Sequence, residues 1–183
     1  FDGNGNKVWI KNYGGSSDDY LRSVKETNDG GYVAVGETYS SDGDLTGNKG
    51  GYDFVIAKFD GNGNKVWIKN YGGSSGEFFY SVQETSDGGY VAVGHSYSSD
   101  GDLTGRKGGS DFVIAKFDSN GNKVWIKNYG GSSYDSFSSV QETSDGGYVA
   151  VGRSKSSNWD LTGNKGGYDF VIAKFNSNGM SYE

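Results

Sequence analysis

Carboxylates at recurring positions are the first residues that could do chemistry. Glu26, Glu84 and Glu142 share one position of a repeat, and Asp53, Asp111 and Asp169 share another. Glycoside hydrolysis needs two carboxyl groups at a defined separation, one as acid and the other as nucleophile or base. Recurrence in every copy points away from that chemistry, because a reacting centre is an asymmetric constellation. Hydrogen bonding to loop backbone is the expected use. His95 is the single histidine and there is no cysteine, so neither a thiolate nucleophile nor a His/Cys metal set can form. Asp42 with Asp44, and Asp100 with Asp102, place carboxylates at i and i+2 in a loop, where calcium could be chelated. The third copy reads Asn158-Trp159-Asp160 and loses one charge, and Asp-Gly pairs also serve as plain turn formers. Residues 60–64 (DGNGN) open like an EF-hand loop, but Lys65 stands where that loop needs Gly and Tyr71 where it needs Glu. That segment reads as a hairpin turn. No catalytic residue and no cofactor is expected, with calcium the one candidate ion.

The composition narrows the classes further. The chain has 183 residues with 33 Gly and no Pro, and Asp plus Glu (23) exceed Lys plus Arg (17). A net charge of −6 with no basic cluster disfavours nucleic acid or an anionic membrane as partner. The apolar runs at 33–35 and 54–57 are far too short to span a bilayer. No basic stretch followed by an apolar one opens the sequence, so any export signal is expected to be removed or never present.

A repeat sets the organisation. Phe1, Phe59, Phe117 and Phe175 open the same phrase, giving copies at 1–58, 59–116 and 117–174 and a partial fourth at 175–183. No linker separates them, so 1–183 reads as a single array. Each copy holds four runs that read as strands: A (21–27), B (32–39), C (53–59) and D (65–71, or 7–13 at the start). Runs B and C are rich in β-branched and aromatic residues, and no stretch keeps a helical period. Tight Gly/Asn/Asp connections alternate with longer polar ones. Four antiparallel strands joined up and down in a unit of this size make a blade of a β-propeller.

The wording of the repeat is itself familiar. W-x-K-x-Y-G-G-S-S, then S-V-x-E-T-x-D-G-G-Y-V-A-V-G, then G-G-x-D-F-V-I-A-K-F resembles the bacterial β-propeller repeats of the SBBP type across all three copies. That resemblance implies a secreted or cell-surface protein with no catalytic residues to carry over.

The array begins with a D run lacking its own A, B and C, and closes with an A, B and C lacking a D. Three blades are too few for a propeller ring, and open sheet edges invite aggregation. A homodimer in which Lys7–Tyr13 of each chain completes the last blade of its partner would give a closed six-bladed ring. A β-trefoil, three four-stranded units closed as a monomer, is the alternative fold, and a piece of a longer array is the alternative assembly.

Copies one and two differ at 11 positions, as do copies two and three, and 12 of the 15 variable positions fall in the D–A and B–C connections or the strand ends beside them. In an up-and-down blade those connections share one face. The candidate ligand-binding residues of that face are Asp19, Tyr20, Arg22, Glu37, Glu77, Phe78, Tyr80, His95, Arg106, Tyr134, Arg153, Lys155 and Trp159. Aromatic side chains such as these stack on sugar rings or anchor a protein partner. The expected function is a non-enzymatic binding module recognising a glycan or protein multivalently. The alternatives are unconstrained loop drift and, with it, a structural or engineered repeat scaffold without a ligand.

Overall fold

The computed structural model describes residues 2–181. It is all-β, with eleven strands in three antiparallel sheets. The first sheet holds β1 (Asp19–Glu26), β2 (Tyr32–Thr38), β3 (Asp53–Phe59) and β4 (Lys65–Tyr71) in that order. The second holds β5 (Glu77–Glu84), β6 (Tyr90–Ser96), β7 (Asp111–Phe117) and β8 (Lys123–Tyr129). The third holds β9 (Asp135–Glu142), β10 (Tyr148–Ser154) and β11 (Asp169–Phe175). Run C and the 65–71 run D, with its repeat at 123–129, form the strands expected, whereas run A starts two residues early and ends one early, and run B ends one early. Among the described residues no sheet closes into a barrel.

The third sheet has three strands, as expected of an A, B and C with no D after them. One expectation needs correction: the first copy, 1–58, contributes three strands and not four. The 7–13 segment is not a strand although its sequence repeats β4 and β8, because a strand requires a ladder partner and this segment has none among the described residues.

The sheets pack face to face, and alternation along each strand feeds two cores. Val33, Val35, Phe54 and Ile56 of the first sheet meet Phe79, Val82, Ala92 and Phe117 of the second. The opposite face of the second sheet sends Val91, Val93, Phe112 and Ile114 against Phe137, Val140, Ala150 and Phe175 of the third. Consequently β6 and β7 are buried at every residue, with both faces covered. By contrast β11 alternates between covered and open positions, and β1 is mostly open. Rings stack across each junction: Phe54 on Phe79 at 3.8 Å and Phe112 on Phe137 at 4.1 Å between centroids.

The first strand of every sheet carries one extra residue. Pairing jumps from Leu21 to Ser23, from Phe79 to Ser81 and from Phe137 to Ser139, so Arg22, Tyr80 and Ser138 each sit at a β-bulge. A bulge bends its strand and re-aims a side chain. Opposite each bulge lies a glycine. A Cβ on Gly36, Gly94 or Gly152 would stand 1.9, 1.7 or 2.1 Å from a backbone carbonyl oxygen of the bulged strand. Glycine is required there by close backbone approach.

Candidate functional site

The loops over the variable face hang on one carboxylate per copy. Glu77 accepts the Gly73 N–H at 2.8 Å and the hydroxyls of Ser98 at 2.6 Å and Ser96 at 3.2 Å. Asp135 accepts from Gly131 N–H at 2.8 Å, from Ser156 Oγ at 2.8 Å and from Ser154 Oγ. Asp19 does the same with Gly15, Ser40 and Thr38. Asp19 and Glu77, read from sequence as ligand contacts, are therefore placed as loop anchors, and Glu77 is fully buried. Burial pushes the Glu77 carboxyl up to about 7, with the nearby Asp53 charge adding to it against the hydrogen bonds that pull it down.

The other repeated acids also hold backbone. Asp53 accepts from Lys49 N–H at 3.4 Å and Asn70 Nδ2 at 2.9 Å, and Asp111 accepts from Lys107 N–H at 2.9 Å. Glu84 and Glu142 each accept a backbone N–H of the preceding sheet, from Asn28 and Ser86, both at 2.8 Å. The calcium candidates are similarly engaged. Asp42 and Asp100 accept the N–H groups of Ser16 and Ser74 at 2.7 and 2.8 Å. Asp44 pairs with Lys65, while Asp102 pairs with Lys123 at 2.5 Å and Lys49 at 3.2 Å. Among the described residues no cluster of three or more His, Cys, Asp or Glu could hold a metal ion.

Between the second and third sheets the variable face opens into a cavity of about 560 Å³. Four tyrosines, Tyr80, Tyr97, Tyr134 and Tyr168, line it together with His95, Arg153 and the hydroxyls of Ser110, Ser136 and Ser138. His95 packs between Phe78 (5.0 Å, stacked) and Tyr97 (5.2 Å, edge-on), and its Nδ1 lies 3.3 Å from Ser136 Oγ. Burial, reinforced by the Arg153 charge, drops its pKa to about 4, so the imidazole is neutral at pH 7. The Arg153 guanidinium lies 4.6 Å from the Tyr168 ring centroid, and Lys155 Nζ approaches the same ring at 4.6 Å.

Residue size explains why the cavity opens at this junction. At the matching place between the first and second sheets, Phe78 and Tyr80 stand where Ser136 and Ser138 stand here, and Tyr52 stands where Ser110 does. There Tyr52 packs on Tyr39 at 5.1 Å and on Phe78 at 5.7 Å, and Arg22 pairs with Glu37. Rings fill that junction, and serines leave the next one open.

Of the residues singled out from sequence, Tyr80, His95, Tyr134 and Arg153 come together in the cavity, with Lys155 at its edge. Tyr20, Arg22 and Glu37 belong to the first sheet, where Arg22 lies over Tyr20 at 4.9 Å and Glu37 is buried with Oε2 unpartnered. Arg106 is exposed and donates to the Gly109 carbonyl at 3.0 Å. Trp159 is 68% exposed at φ 62°, where Gly43 and Gly101 of the other copies take φ 65°. Sequence reasoning missed Tyr97, Tyr168 and the three serines. The signal lay in the small-for-large exchanges between copies. No family model and no curated protein matches the chain.

Proposed function

We propose that the chain is a non-catalytic binding module, a three-bladed part of a β-propeller at the cell surface or secreted, whose cavity between the second and third sheets holds a glycan. The sequential strand order within each sheet and the face-to-face stacking of successive sheets support the propeller over the trefoil. So does the resemblance of the repeat to SBBP-type blades.

The observation that carries the ligand reading is the lining of the cavity. Tyrosine rings offer flat apolar faces to the C–H side of a sugar, while Tyr and Ser hydroxyls offer donors and acceptors for its hydroxyls. A volume of about 560 Å³ lies within the range of small-ligand sites. Neutral His95 supplies a further hydrogen-bonding edge. Asp135, the carboxylate in the lining, is committed to the Gly131 N–H and the Ser154 and Ser156 hydroxyls, which favours recognition over hydrolysis.

A glycan array probed with the labelled chain tests this. Binding to a restricted set of sugars, lost in Tyr134→Ala and in the filled variant Ser136→Phe/Ser138→Tyr, supports the reading. Silence across the array would overturn it and favour a repeat scaffold, which the near-identity of the copies also fits. Capture of a peptide segment instead, abolished by the same variants, would replace the glycan with a protein ligand.

A further inference from the structure

The two ends of the stack are complementary, and we infer that a second copy of this chain closes it into a two-fold ring of six sheets. At one end Phe170 is 92% and Ile172 71% exposed, although their counterparts Phe54, Phe112, Ile56 and Ile114 are buried. At the other end Leu21 is 52% and Val24 60% exposed, although their counterparts Phe79, Phe137, Val82 and Val140 are buried. Inside the chain these two sets cover each other, as Phe54 does Phe79 and Phe112 does Phe137. Repeating the same step once more lays Phe170 against the partner's Leu21.

The third sheet has three strands among the described residues, and a segment with the sequence of a fourth lies at the other end of the stack. The 7–13 segment is identical in sequence to β4 and β8 and already docks on the first sheet as they dock on theirs. Trp9 meets Tyr32 at 6.0 Å, as Trp67 meets Tyr90 at 5.9 Å and Trp125 meets Tyr148 at 6.0 Å. The ladder of β3 with β4 pairs Phe54 with Tyr71 and Ile56 with Lys69, so the same register pairs Phe170 with the partner's Tyr13 and Ile172 with the partner's Lys11. Ser181 already bridges Phe175, at the place Lys65 takes in the first sheet, and among the described residues the edge from Phe170 to Ala173 carries no ladder partner and is where the incoming segment pairs. Strand addition to such an edge supplies backbone hydrogen bonds, and a segment held in place beforehand loses little freedom on pairing.

Backbone and charge agree. Glu77 N–H donates to the Tyr52 carbonyl at 2.6 Å and Asp135 N–H to the Ser110 carbonyl at 2.9 Å. The next bond of this series joins Tyr168 to the partner's Asp19. Arg153 and Lys155 make the β11 end basic, while Arg22 is neutralised by Glu37 and leaves Asp18 and Asp19 as the net charge of the β1 end. The like-charge contact of Asp169 with the partner's Asp19 repeats that of Asp111 with Asp135 within the chain, where burial and the second charge raise the Asp111 pKa. Each closure builds a new loop-face junction from Ser138, Arg153 and Tyr168 with the partner's Tyr20.

This inference rests on the propeller reading of the fold and not on the ligand. Sedimentation of the intact chain over a range of concentrations tests it. The expected species has the mass of two chains and weakens as salt is raised. Phe170→Asp, at a position exposed in the single chain, is expected to raise the dissociation constant about 100-fold or more while leaving the circular dichroism unchanged. A single-chain mass at every concentration would overturn closure, and so would masses that climb past two chains. Either result leaves the glycan array as a separate test of the ligand reading.

Discussion

The Tyr13 hydroxyl donates to the Gly63 carbonyl at 2.9 Å, and the same bond recurs from Tyr71 to Gly121 at 2.8 Å and from Tyr129 to Gly179 at 2.7 Å. The first of these tyrosines lies outside any sheet, while the other two end β4 and β8. The contact between copies is therefore made by the fourth run whether or not it is hydrogen-bonded as a strand. Tyr13 also packs on Phe59 at 5.2 Å, as Tyr71 does on Phe117 at 5.3 Å.

Tyr13→Phe keeps the ring contact and removes the hydrogen bond. The expected loss is about 1 kcal/mol of stability. Faster exchange of the Lys65 amide, whose N–H donates to the Tyr13 hydroxyl at 3.2 Å, would locate it there, and chemical denaturation measures its size.

Trp159 occupies a left-handed conformation that glycine holds in the other two copies. The cost is visible in the loop: the Asp160 N–H to Gly130 carbonyl distance is 3.4 Å, against 3.0 Å for Asp44 to Gly14 and 2.9 Å for Asp102 to Gly72. Trp159→Gly is expected to stabilise the chain by about 1 kcal/mol, visible as a higher melting temperature. An unchanged or lower melting temperature would show that the exposed ring makes compensating contacts.

Gly94 faces the bulge of β5. Its Cβ would come within 1.7 Å of the Phe78 carbonyl oxygen, a backbone atom that cannot swing aside. Gly94→Ala is expected to cost about 3 kcal/mol, whereas Gly88→Ala, with open space around it but φ 76°, is expected to cost about 1 kcal/mol. Urea denaturation of the two variants separates steric exclusion from backbone preference.

Two buried groups act on stability in opposite directions with pH. Glu77 titrates near 7 in the folded chain against an ordinary 4.5, so its contribution is fully present below 4.5 and is lost as the pH rises towards 7. His95 titrates near 4 against 6.5, so its contribution is present above 6.5 and is lost as the pH falls towards 4. In Glu77→Gln the stability profile is expected to tilt upward with pH between 4.5 and 7 relative to the parent. In His95→Gln it is expected to tilt downward over 4 to 6.5. Melting temperatures at half-unit pH steps check both signs.

Much of the fold was legible because the repeat exposes its own periodicity. Run C and the 65–71 and 123–129 copies of run D match their strands to the residue, whereas 7–13, with the same sequence, does not, because the ladder partner and not the sequence decides it. The bulges at Arg22, Tyr80 and Ser138 were not legible, because an extra residue shows only once two strands are paired. Asp19 and Glu77 looked like surface charges in a variable loop, and only the structure shows the serine, threonine and glycine donors converging on them. The cavity escaped notice for a different reason. Ser110, Ser136 and Ser138 matter by the volume they leave empty, and the exchanges with Tyr52, Phe78 and Tyr80 were read for their chemistry and not for their size.

Closure by a second copy is tested most directly by a covalent trap across the inferred pairing. The chain contains no cysteine, so Lys11→Cys/Ile172→Cys introduces the two thiols alone. Ile56 with Lys69 and Ile114 with Lys127 are the register partners these positions would copy, at a separation a disulfide can span. Oxidation is expected to give one species of two chains on a non-reducing gel, returned to one chain by reductant. A product that stays at one chain, or a ladder of ever longer species, would contradict the ring.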